Sequence, residues 1–242
     1  MIRIGTSGWV YGDWRGRFYP PGTAARRWLE YYAQRFDTVE LNATTYRLPT
    51  PAQVSAWCSK VPPDFRFTVK LSRLITHRRD LPPRLDEFIA NYFTRTAYFE
   101  PAKLAQILIQ FPPYLKRDDA RLLAFLLKLP PQYRYVVEFR DKSWFEPAVR
   151  ELLISRNVAF CMHDYPGLRV PHWITRGDLA YVRFHGFTAL YAGSYPQRTL
   201  HRWAERLREL ESSAREVFVY FNNDTAAAAR DAESLKALLG QA

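Results

Sequence analysis

Apolar residues in this chain fall into two rhythms that alternate along its length. Eight short runs are rich in β-branched and aromatic residues: 2–8, 38–46, 66–72, 104–111, 134–140, 158–164, 180–186 and 216–223. Runs of that length and composition read as strands. Most are separated by stretches with helical spacing. Thr23 is placed to cap a helix over 23–36 in which Trp28, Tyr32 and Phe36 recur every four residues. Residues 118–129 open on two aspartates and continue apolar, and 146–157 hold Pro147 in a first turn, where proline is tolerated. Residues 199–210 set Leu200, Trp203, Ala204, Leu207 and Leu210 on one stripe. A last helix is expected over 224–240, with Asp224 or Thr225 as cap and Gly240 as stop. Only 165–178 lacks a clear helix. Prolines such as Pro49, Pro62, Pro82, Pro112 and Pro130 stand at the junctions. Alternation repeated eight times predicts an α/β fold, a single-domain (β/α)8 TIM-like barrel over residues 1–242. An open doubly wound sheet would want a Gly-rich turn from the first strand into a helix, and "GTSGW" followed by "VYGDWRGRFYPPG" supplies none.

A strand sends alternate side chains to opposite faces, so each run divides into an outer and an inner set. Val39 and Leu41 go outward and leave Glu40, Asn42 and Thr44 inside; Phe67, Val69 and Leu71 leave Thr68, Lys70 and Ser72. The fourth run turns Gln106, Leu108 and Gln110 inward, the fifth Glu138 and Arg140, the seventh Arg183 and His185, the eighth Tyr220 and Asn222. The sixth is ambiguous between Cys161 with His163 and Met162 with Asp164. Most of these polar residues lie in the second halves of their strands, and barrel chemistry belongs at the C-terminal mouth. Glu40 and Glu138 face Lys70, Arg140 and Arg183, which leaves one cation unmatched. Asn42, Gln110 and Asn222 are neutral and cannot cancel it. An unmatched buried cation is costly, so water or an anionic ligand should meet it.

Charge and composition change this picture little. The 242 residues carry a formal net charge of +11 and are 48% hydrophobic, ample for one core. Many arginines fall on the expected outer helices, which suggests a generally basic surface. Cys58 and Cys161 lie in apolar contexts without disulfide or metal spacing. The chain opens directly into a strand, with no signal-like segment and no apolar run long enough for a bilayer. A cytoplasmic protein with no membrane partner is expected.

The runs "GTSGW", "ELNATTYRLP", "ITH", "QFPP", "VEFR…SWF", "YVRFHG" and "YFNND" occur in this order from residue 2 to about residue 240. Together they resemble the YecE-like family (domain of unknown function number seventy-two). The resemblance implies a TIM-like barrel and no established reaction. The family pattern often has histidine where this chain has Asp13 and Asp141, and an aromatic where it has Thr45.

Several chemistries compete for the inward groups. Glu40 and Glu138 across the mouth are the residue types of glycoside hydrolysis, but neighbouring cations should keep them ionised, which handicaps a proton donor. His185 beside Arg183 reads as an acid–base group next to an anion clamp, its pKa lowered by the arginine. A metal could use Glu40, Glu138, His185 and His163 or Asp164, but three cations crowd the same lumen, and no metal or other cofactor is expected. Trp9, Trp14, Trp144, Arg15, Arg17, Arg73, His77, Arg78 and Arg79 could form a basic, aromatic rim suited to single-stranded nucleic acid. The "FNND" turn before the last helix could place amides at a phosphate. The leading expectation is an enzyme binding an anionic small molecule or phosphoester. Glu40, Glu138 and His185 would be catalytic, and Lys70, Arg140, Arg183, Asn42, Gln110, Asn222, His77, Trp9 and Trp144 ligand-binding. The rival is a nucleic-acid-binding barrel.

Overall fold

Strands with two buried faces need covering layers on both sides, and the chain supplies them by closing on itself. In the computed structural model, eight parallel strands form a closed barrel in chain order. They are β1 (Ile2–Ser7), β2 (Thr38–Leu41), β3 (Arg66–Lys70), β4 (Leu104–Phe111), β5 (Tyr135–Phe139), β6 (Ala159–Asp164), β7 (Leu179–Phe184) and β8 (Glu216–Phe221). The structure describes residues 1–45, 47–78, 80–81, 83–222 and 225–241. Outer helices are α1 (Trp28–Tyr32), α2 (Pro51–Cys58), α3 (Arg73–Thr76), α4 (Leu85–Thr96), α5 (Asp119–Leu126), α6 (Pro147–Ser155), α7 (Gln197–Ser213) and α8 (Ala227–Leu238). None of them is long and apolar enough to cross a membrane.

Local chemistry sets most boundaries. Asp118 accepts the Arg121 amide at 2.9 Å and starts α5, while Thr50 and Gln53 form a reciprocal capping box on α2. Pro147 stands at the start of α6, and Gly240, at φ +73°, follows the end of α8 and turns the chain out of the helix. Along α7, Leu200, Ala204, Leu207 and Leu210 are buried, the stripe that periodicity predicts, with Trp203 packed beside it. No helix joins β6 to β7 among the described residues, as the sequence suggests.

Two expectations need correction. The 23–36 helix is short: a 3-10 turn, Ala25–Arg27, leads into α1, and Thr23 caps nothing with its side chain. Instead its carbonyl accepts the indole N–H of Trp28 at 3.1 Å, so burial of Trp28 against Tyr19 sets the helix start. The second strand ends at Leu41 rather than residue 46, because Thr44 Oγ1 donates to the carbonyls of Leu41 and Lys70 and folds the chain into a turn. At α8 Ala226 stands at the N-cap, one place past the expected Thr225, and carries no side-chain cap bond; Asp13 Oδ2, from the loop after the neighbouring strand β1, accepts the Ala226 amide at 2.9 Å. Asp224, the other expected cap, lies outside the described residues.

Two apolar clusters confirm which face is which. The inner one joins Leu108, Val136, Cys161, Tyr181, Phe218 and Tyr220; the outer one contains Val39, Val69, Val137, Phe139, Met162, Val182 and Phe221. Cys161 therefore points into the lumen and Met162 away from it, which resolves β6. Both cysteines are buried and free. Below the mouth, Tyr220 OH lies 2.6 Å from Thr38 Oγ1 and 2.8 Å from Thr68 Oγ1, and Gln106 donates to Thr68. This satisfied polar layer closes the barrel floor.

Candidate functional site

Glu138 sits near the end of β5, opposite Gln110 in register, and its side chain enters the lumen because Val137 and Phe139 belong to the outer core. The same parity brings Glu40 from β2 and Arg183 from β7 to meet it. Glu40, Glu138, Arg183 and the following His185 are 0% exposed. Arg183 bridges the carboxylates: Nη2 contacts Glu40 Oε1 at 2.7 Å and Nη1 contacts Glu138 Oε2. Arg140 Nε donates to Glu138 Oε1 at 2.7 Å. Ser7 Oγ and Tyr181 OH each donate to Glu40 at 2.5 Å.

These contacts decide ionisation. Burial pushes the Glu138 carboxyl up, but Arg183, Arg140 and His185 outweigh it and hold it well below the ordinary carboxylate range. Burial lowers the Arg183 pKa, and the carboxylates of Glu138 and Glu40 reverse the direction. Burial, with Arg183 and Arg140 adding to it, takes His185 down to about 3, so it is neutral. Arginine alone was expected to do this; desolvation does more.

Neutral His185 has its tautomer set by a short relay. Asn42 Nδ2 donates to Asn222 Oδ1 at 3.3 Å, and Asn222 Nδ2 then lies 3.1 Å from His185 Nδ1. With Nδ1 as acceptor, the proton belongs on Nε2, which faces Glu138 Oε1 at 3.2 Å. That contact is off-line for a strong hydrogen bond, and Nε2 is otherwise without a partner. Asn42 and Asn222 thus orient the histidine, whose ring is fully buried.

Lys70 is the unmatched cation. Half-buried at the end of β3, its ammonium makes no hydrogen bond or ion pair among the described residues. Burial and the neighbouring Arg183 and Arg140, against the pull of Glu138 and Glu40, bring its pKa down to about 8. Arg140 Nη2 is also buried without a partner, while Nη1 donates to Tyr191 OH at 2.8 Å and the guanidinium lies 5.1 Å from the Tyr165 ring centroid. His77, half-buried, feels Lys70, Arg73 and Arg140; burial chiefly, then these cations, lower its pKa to about 4. Its Nδ1 is 2.8 Å from Thr76 Oγ1. Gln110 is buried and its amide makes no hydrogen bond among the described residues.

Other expected site residues lie elsewhere. Trp144 is 3% exposed in the outer layer, stacked 4.4 Å from Phe139, with its indole N–H on the Leu115 carbonyl. Parity breaks where β5 ends, so it presents no face to the mouth. Trp9 is 8% exposed and packs edge-on against Trp57 of α2, and Trp14 is fully buried. The basic rim therefore lacks its expected tryptophans: Arg15 lies over Trp28, Arg17 pairs with Asp13, and Arg78 is exposed. Arg79 and the Asn223–Asp224 turn lie outside the described residues.

Residues missed in the sequence complete the cluster. Tyr181 could have been found, since it stands two places before Arg183 on the same face. Ser7 ends the first strand, which the sequence reading did not divide into inner and outer faces. Tyr191 could not: it reaches Arg140 because the loop after β7 folds tightly, with Gly186 at φ +106° and Tyr191 itself in the left-handed region at φ +62°. A Cβ on Gly186 would stand 2.5 Å from the carbonyls of Ala189 and Ala192.

Glu138, His163 and His185 offer ligand atoms within 4.8 Å of one another. His163 Nε2 lies 2.9 Å from the Phe139 carbonyl, leaving Nδ1 without a partner. A divalent cation there would compete with two guanidiniums already seated on Glu138, so charge opposes it.

Fold and cluster together define a (β/α)8-barrel protein whose upper lumen is an ion-pair network with one surplus cation. The family model described as "Protein of unknown function DUF72" matches residues 3–242, and the chain belongs to this family. UPF0759 protein YunF of Bacillus subtilis (strain 168) is 31% identical over 261 residues, 96% of this chain and 92% of that protein. UPF0759 protein YecE of Escherichia coli (strain K12) is 31% identical over 159 residues, 65% of this chain and 55% of that protein. Among solved structures, a DUF72 family protein from Thermotoga maritima superposes with a TM-score of 0.83 at 31% identity over 99% of both chains. One from Enterococcus faecalis gives 0.86 at 22% identity over 100% of this chain and 96% of that one, a likeness of fold.

Proposed function

We propose that the barrel mouth binds an anionic small molecule, a carboxylate or phosphoester, and that the protein performs acid–base chemistry on it. The observation that carries this reading is a pair of neighbouring cations with donors that find no partner among the described residues, the Lys70 ammonium and the buried Arg140 Nη2, beside a network that is otherwise charge-matched. Four of the five lumen charges cancel: Arg183 and Arg140 against Glu40 and Glu138. Lys70 remains, and an anion is the ligand that would complete it.

Roles shift from the sequence expectation accordingly. Glu138 and His185 are sealed, one held ionised and the other held neutral, so both act as positioning groups for Arg140 and Arg183. Arg183 spends both terminal nitrogens on glutamates. Proton transfer falls to the groups at the opening, Lys70 and neutral His77. Glycoside hydrolysis is disfavoured because Glu138 cannot serve as a proton donor and one guanidinium joins both carboxylates. The nucleic-acid reading is weakened by the burial of Trp9 and Trp14.

Thermal denaturation against sulfate, phosphate and pyruvate tests the proposal. An anion at about a hundred times its Kd should stabilise the fold by about 2.7 kcal/mol, and Lys70→Ala should remove that gain. Equal stabilisation of wild type and Lys70→Ala would refute it. Salt-sensitive binding of single-stranded RNA that survives Lys70→Ala and disappears in Arg78→Ala would favour the rival.

A further inference from the structure

We infer that Lys70 is a nucleophilic amine that forms an imine with the carbonyl of an anionic oxo acid held by Arg140. The inference rests on the anion-binding mouth proposed above and names its substrate class.

Three features of the site point this way. First, Lys70 is the lumen cation that has no counter-ion among the described residues, and its backbone is pinned where β3 ends, the Thr44 hydroxyl donating to its carbonyl at 2.7 Å. The amine thus stands on a rigid element with its tip unengaged. Second, the charged groups facing it come from β2 (Glu40), β5 (Glu138 and Arg140) and β7 (Arg183), and the segment after α3 adds the neutral imidazole of His77. Guanidiniums beside an amine, together with partial burial, disfavour its ammonium form, the arrangement by which an amine becomes nucleophilic near neutral pH. Third, Arg140 Nη2 is a buried donor without a partner, fixed by Glu138 on one side and Tyr191 on the other. An oxo acid has the matching groups, a carboxylate for Arg140 and a carbonyl carbon for Lys70.

The step balances without a co-reactant. The neutral amine's lone pair forms the C–N bond as the carbonyl π pair moves to oxygen. One amine proton passes to that oxygen, with His77, a neutral imidazole, as carrier. A second proton, the one the Lys70 ammonium released to solvent on becoming neutral, lets the oxygen leave as water while the nitrogen lone pair forms C=N, giving a protonated imine.

Trapping with pyruvate and cyanoborohydride, followed by peptide mapping, reads the imine directly. The expected result is a reduced adduct on Lys70 formed at least tenfold faster than on the exposed Lys116, Lys128 and Lys142. Lys70→Arg should give no site-selective adduct while keeping stabilisation by sulfate. Arg140→Ala should slow trapping of pyruvate about tenfold more than it slows trapping of acetone, which senses only the change in Lys70 basicity. If pyruvate stabilises the protein and Lys70 is not labelled faster than the exposed lysines, the imine is wrong and the anion site stands. If pyruvate, sulfate and phosphate neither stabilise the protein nor yield a Lys70 adduct, the anion-binding reading falls too.

Discussion

Glu138 answers to two arginines and a histidine at once, so its loss should be felt as an uncompensated charge rather than a missing contact. Glu138→Gln leaves Arg140 and part of Arg183 unmatched in a sealed lumen, and we expect a loss of about 3–5 kcal/mol in urea denaturation. A loss under about 1 kcal/mol would mean that the network is looser than the distances suggest. The pH dependence has a definite sign. With its folded pKa depressed, Glu138 contributes stability that is complete above its ordinary value of 4.5 and lost as pH falls through the folded one. The wild-type protein should therefore weaken below that value more steeply than Glu138→Gln. Lys70 has the opposite sense. Its folded pKa near 8 lies below the ordinary 10.5, so between the two the unfolded chain binds the extra proton and stability rises with pH. Lys70→Met should gain on the order of 2 kcal/mol at pH 7, a figure discounted for partial exposure. Its advantage should fade between pH 8 and 10.5. No gain at pH 7 would place Lys70 in better company than the ion pairs indicate.

Closure of the barrel between β1 and β2 is the element on which the cluster depends, because Ser7 and Glu40 meet across it. These strands pair only at Thr6 with Val39 and Ser7 with Glu40. Lower down, the Tyr32 hydroxyl substitutes for ladder bonds: it accepts the Thr6 amide at 2.8 Å and donates to the Thr38 carbonyl at 3.0 Å. Gly5 makes room for this. A Cβ there would stand 2.1 Å from the Thr38 carbonyl oxygen and 2.9 Å from the Tyr32 hydroxyl. Gly5→Ala should cost about 3 kcal/mol or prevent folding, since overpacking against backbone cannot be relieved by a rotamer change. A folded Gly5→Ala protein of wild-type stability would show that β1 can shift.

For the whole molecule, the net charge of +11 and the mouth cation make separable claims about salt. General self-repulsion is relieved by any screening electrolyte, so sodium chloride should raise Tm modestly in wild type and Lys70→Ala alike. Sulfate at matched ionic strength should raise it further in the wild type alone. If the two salts coincide after screening is matched, the basic surface is a diffuse property and the mouth takes no anion.

The sequence by itself determined the strand–helix order, the barrel, and which strand residues face inward, because the two-residue period of a strand is a local property. Glu40, Lys70, Glu138, Arg140, Arg183 and His185 were legible for that reason. Tertiary structure alone decided who pairs with whom. Arg183 could have matched either glutamate or neither, and only barrel closure makes it serve both, leaving Lys70 as the surplus. It also decided the fate of residues beyond the strand ends, where no period holds: Trp9 and Trp144 turned into the outer core, and Tyr191 was brought to Arg140 by a loop whose path depends on positive φ angles.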